Sequence, residues 1–73
     1  MEERAAIEYV KEGLYWNNAP FDSVKWDVDV DTGDDLILVS CSSPKNARAC
    51  ARALQNSDEI NEVRITGSFV EVT

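Results

Sequence analysis

The chain has 73 residues, 44% apolar and 29% charged, with fourteen acids against seven bases and a net charge of −7. The absence of histidine excludes a His-based triad or dyad and any zinc site with an imidazole ligand. Too few Lys and Arg are present for direct binding of a nucleic-acid backbone, and no apolar run approaches a membrane span. The length fits one small domain over residues 1–73, and the Met1-Glu2-Glu3-Arg4 start is unlike a signal peptide, so the expected setting is cytoplasmic. Two cysteines, Cys41 and Cys50, are too few for a disulfide scaffold or a thiolate metal cage and read as small, reduced core side chains. No cofactor and no metal are implied.

From Glu2 to Trp16 the pattern is that of an amphipathic helix, with Ile7, Val10 and Leu14 on one stripe beside Ala6. Glu2 and Glu3 suit the positive end of the helix dipole, while Gly13 weakens the last turn, so the end falls at Glu12 or at Asn17-Asn18. After Ala19-Pro20 the period changes to two. Val24, Trp26, Val28 and Val30 alternate with Lys25, Asp27, Asp29 and Asp31, the pattern of a strand with one buried and one wet, acidic face. A turn over Asp31–Asp35 leads to Leu36–Cys41, apolar on both faces as a central strand is. Ser43-Pro44 supplies an N-cap and a first-turn proline for a second helix. Its core stripe is Ala47, Cys50, Ala51 and Leu54, and Asn56-Ser57-Asp58 ends it.

The last segment predicts a hairpin with a defined register. A type II′ turn at Gly67-Ser68 sets Ile65 opposite Val70, Val63 opposite Val72, and Arg64 opposite Glu71. The expected fold is therefore α+β, in the order α-β-β-α-β-β, with two helices on one face of a four-stranded, mostly antiparallel sheet.

Three constellations invite a chemical reading. Asp27 to Asp35 is acid-rich, but as an EF-hand loop it would need glycine at its sixth place and glutamate at its twelfth. Those places hold Thr32 and Leu38. A weak calcium turn at Asp31, Asp34 and Asp35 is the remaining cation reading. Cys41 to Arg48 lies where a strand feeds a helix, the place where cysteine phosphatases cradle an anion. Six residues separate this cysteine from the arginine, one too many for that signature, and an enzyme is not expected. A milder reading gives Ser42, Ser43, Lys45 and Arg48 an anionic ligand at the helix start, in a small regulatory domain. Tyr15, Trp16, Phe21 and Trp26 are expected to close one end of the core.

The outer sheet face carries the leading reading. With Val28 and Val30 inward, Asp27, Asp29 and Asp31 form an outward row, extended by Asp34 and Asp35. The next strand sets either Ile37, Val39 and Cys41 or Leu36, Leu38 and Ser40 on that face, with Ile37 and Val39 as the candidate partner contacts. Alternate strand residues are about 6.6 Å apart, one charge for about every two phosphates of a nucleic-acid strand at about 3.4 Å each. In size and charge the chain is similar to the small acidic proteins that bacteriophages use as DNA mimics or inhibitors. The expected partner is a basic protein, of the nucleic-acid-binding kind, with a homodimer as a further expectation. The competing explanation is that acidity only keeps a small protein soluble.

Overall fold

A computed structural model describes Glu3–Thr73; Glu2, expected in the first helical turn, lies outside the described residues. The described residues form α1 (Glu3–Trp16), β1 (Ser23–Val28), β2 (Asp35–Ser40), α2 (Pro44–Leu54), β3 (Val63–Thr66) and β4 (Phe69–Val72). This is the expected α+β order. Both helices lie on one face of a four-stranded antiparallel sheet ordered β1-β2-β4-β3. Exchanging β1 with β3 and β2 with β4 maps that order onto itself, so the chain is two α-β-β units joined along β2 and β4.

In α1 the buried residues are Ala6, Val10 and Leu14, spaced four apart on one stripe, with Ile7 packed beside them. The helix passes Gly13 and runs to Trp16. Its end is a Schellman motif: the Ala19 amide donates to the Leu14 carbonyl at 2.9 Å and the Asn18 amide to the Tyr15 carbonyl at 3.1 Å. Asn18 occupies the left-handed region at φ 54° that this motif requires. In α2, Ser43 caps the start by accepting from the Asn46 amide at 3.2 Å, with Pro44 in the first turn. Its buried stripe is Ala47, Cys50, Ala51 and Leu54, as the spacing predicts.

The hairpin register matches the expected one: Val63 faces Val72, Arg64 faces Glu71 and Ile65 faces Val70. Gly67 has φ 61° and Ser68 is not among the residues of positive φ, the pattern of a II′ turn. Across the sheet, Val24, Val39 and Val70 form one inward row, and Trp26, Ile37, Val72 and Val63 the next. These rows meet both helix stripes in one apolar core.

The first strand is shorter than its alternation suggests. It ends at Val28, which keeps the inward parity of Val24 and Trp26 but is 48% exposed, and Val30, beyond the strand, is 95% exposed. The turn begins two residues earlier than Asp31. The Asp29 amide closes the last rung on the Asp34 carbonyl at 2.8 Å, and the Gly33 amide donates to the Asp29 carbonyl at 2.7 Å. Asp29 Oδ1 accepts the Asp31 amide at 2.9 Å. This Asx turn satisfies the backbone locally and removes the reason to extend the ladder. Among the described residues, no helix is long and apolar enough to cross a membrane.

Candidate functional site

The early turn reshapes the acidic surface. Asp27 stays on the outer face of β1, opposite Leu36. Asp29 and Asp31 leave the strand; Asp29 lines one depression with Asp34 and Asp35, and Asp31 is exposed in the turn. The evenly pitched row expected along the strand is absent. Asp31, Asp34 and Asp35 are exposed, and their carboxylates enter no hydrogen bond or ion pair among the described residues.

Ile37 and Val39, expected beside the acids, are core residues at 8% and 0% exposure. The pairing of Val39 with both Val24 and Val70 fixes that parity. The apolar residues of the outer face are instead Leu36, Leu38 and Phe69, with Leu38 between Lys25 and Glu71. Leu36 is 4% exposed although no helix of the described residues covers this face. It sits in a depression lined also by Asp29, Asp34, Asp35, Glu62, Glu71 and one base, Arg64.

Arg64 is the organising cation there. Its Nε donates to Glu71 Oε1 at 2.8 Å, and its Nη2 reaches Asp29 Oδ2 at 3.5 Å. One guanidinium on the β3 edge thereby ties β4 to the β1–β2 turn. Glu71, then Asp29 and Glu62, hold the Arg64 pKa above its ordinary value. The Arg64–Glu71 pair follows from the hairpin, but Asp29 is thirty-five residues away, so no local pattern announces the second contact. Glu62 and Glu71 likewise join the acidic surface only through the fold.

The alternative anion site is already occupied by the protein's own groups. Ser42 Oγ donates to the Asp22 carboxylate at 2.9 and 3.2 Å, and Ser43 Oγ is engaged by the Asn46 amide. A carboxylate at the start of α2 supplies the negative charge that the helix terminus attracts and repels a second anion. Lys45 and Arg48 are exposed and unpaired among the described residues. Among those residues there is also no group of His, Cys, Asp and Glu arranged to hold a metal ion.

Cys41 and Cys50 are free, buried thiols with sulfurs 3.6 Å apart. Burial, then the contact with Cys41, pushes the Cys50 pKa from 9.0 up to about 12. Cys41 shifts the same way, chiefly through burial. Both thiols are therefore protonated near neutral pH, the opposite of a reactive nucleophile. The unfolded chain releases these protons first, so stability should fall as pH rises above 9.0 toward about 12. The urea midpoint should drop over that range, and drop less in a Cys41→Ala, Cys50→Ala variant. Equal drops would place the alkaline sensitivity on other groups.

The aromatic cluster divides in two. Phe21 and Trp26 pack against the core, whereas Tyr15 and Trp16 are 70% and 84% exposed and do not close it. Tyr15 meets Phe21 edge to face, ring centres 5.3 Å apart. No family model matches the chain, and no curated protein or solved structure does either.

Proposed function

We propose that this chain is a non-enzymatic interaction protein that binds a basic protein through the acidic end of its sheet. One observation carries the reading: Asp29, Asp34, Asp35, Glu62 and Glu71 converge on a depression where Arg64 is the single base, with Asp31 exposed close by in the turn. The turn also holds Val30 out at 95% exposure, an apolar contact among the acids. Acids steer a basic partner during encounter, and the buried centre of the contact supplies adhesion. Nucleic-acid-binding proteins present the complementary chemistry, Lys and Arg clustered for phosphates. The support is charge density at a turn, not a phosphate-like ladder, because β1 ends at Val28.

Titration with a poly-lysine peptide, followed by backbone amide shifts, tests the location. Perturbations should gather on residues 29–35, 62 and 71 and fade as salt rises. Perturbations centred on Glu3, Glu8 and Glu12 of α1 would overturn this placement.

A further inference from the structure

Among the described residues no further strand pairs with β1 or β3 at the two edges of the sheet, and their ladder groups follow from the hydrogen bonds around them. The rung between Asp29 and Asp34, and the Cys41 amide donating to the Ser68 carbonyl at 2.9 Å, set the parity. Odd-numbered residues of β1 pair with β2. The N–H and C=O groups of Val24, Trp26 and Val28 therefore point to the free edge. The Val28 amide fits this assignment, because its acceptor is the Asp27 side chain at 2.8 Å and not a neighbouring strand.

We propose that two copies of the chain pair antiparallel along β1, about a two-fold axis at Trp26, joining their sheets into one of eight strands. The register follows from charge. With Trp26 opposite the partner's Trp26, each Lys25 faces the partner's Asp27, giving two opposite-charge pairs on the outer face. Val24 then faces the partner's Val28, so the two edges exchange backbone hydrogen bonds at positions 24, 26 and 28. Moving the axis to Lys25 sets Lys25 against the partner's Lys25, and moving it to Asp27 sets Asp27 against the partner's Asp27. A shift by one residue brings inward faces against outward faces. Only the Trp26 register pairs opposite charges without a like-charge contact.

Apolar surface supports the same edge. Val28 is 48% exposed and Trp26 is half-buried, both on the inward side where the partner's Val24 and Trp26 would cover them. The other edge is poorer. β3 is four residues long; pairing about Arg64 opposes two guanidiniums, pairing about Ile65 sets Arg64 against the partner's Thr66, and pairing about Val63 sets Glu62 against the partner's Arg64, which Glu71 and Asp29 already engage. This association uses Lys25 and Asp27, and leaves Asp31, Asp34 and Asp35 free for a basic partner.

Charge reversal tests the register. In sedimentation equilibrium over a concentration series, the chain should approach twice its 8.2 kDa mass. Lys25→Asp alone and Asp27→Lys alone should each weaken self-association about tenfold or more, since both like-charge contacts appear together. Mixing the two single variants should restore pairing as a heterodimer, because the two aspartates of one variant then meet the two lysines of the other. The double reversal carrying both changes should self-associate like the original chain. Val28→Pro removes an edge-facing N–H without touching the β1–β2 ladder, and should abolish the dimer while circular dichroism stays unchanged. A monomer at every concentration, a mixture that fails to pair, or a dimer unaffected by Val28→Pro would each overturn the proposal. Poly-lysine binding by the monomeric variants reads the acidic end separately.

Discussion

Replacing Val39 by Asp is expected to unfold the domain, while Leu38→Gln, one residue away on the same strand, leaves it folded. Val39 is fully buried between Val24 and Val70 and beneath the helices, with no polar group there to receive a carboxylate. An unpaired buried charge costs several kcal/mol even after relaxation. A chain of 73 residues has about 4–11 kcal/mol in total, at about 0.05–0.15 kcal/mol per residue. Leu38 lies on the outer face, partly exposed between Lys25 and Glu71, and its change should cost about 1 kcal/mol. Urea denaturation and amide shift dispersion distinguish the outcomes. A folded Val39→Asp protein would mean that this residue faces solvent, as a partner-contacting position would.

Those two neighbours lie where the sequence pattern is ambiguous. Leu36-Ile37-Leu38-Val39 is apolar at every position, so alternation alone cannot decide which two residues face the helices. The decision is made by β4, which contributes Val70 and Val72 from the far end of the chain. The C-terminal hairpin was legible for the converse reason. Its turn glycine, its alternating valines and the Arg64–Glu71 pair all lie within ten residues and demand one register. The helix faces were equally plain, because Ala47, Cys50, Ala51 and Leu54 leave a single stripe.

The aspartate row carries two competing local tendencies. Asp-Val-Asp-Val-Asp has the period of a strand, but aspartate also offers its carboxylate to nearby backbone amides. Asp29 does so, accepting the Asp31 amide, and the local turn displaces two further strand residues. Asp29 then lies with Asp34 and Asp35 instead of along a strand, and they meet Glu62 and Glu71 through pairings that no local pattern reveals. Arg64 offsets part of this density at Glu71 and Asp29, while the turn acids beyond its reach keep their full field. Of the acids in and beside the turn, Asp31, Asp34 and Asp35 are the ones left without a bond or ion pair among the described residues.

Changing Asp31, Asp34 and Asp35 to Asn should therefore weaken association with a basic protein more than any equal change elsewhere. Asp29 is left intact because it caps the turn and meets Arg64, so its loss would confuse charge with structure. The three chosen side chains are exposed and unbonded, and stability should shift by no more than about 0.5 kcal/mol. The association rate should fall about tenfold or more at low salt, and its dependence on salt should flatten, because long-range attraction acts on encounter. The matched control is Glu3, Glu8 and Glu12 to Gln on α1, also exposed, which removes the same charge from another face. Stopped-flow mixing with a basic protein across a salt series reads both variants. Equal slowing would reduce the effect to net charge and defeat the assignment of a binding end. No slowing in either would leave the acidity as a solubilising feature, and the sheet end would have no binding role.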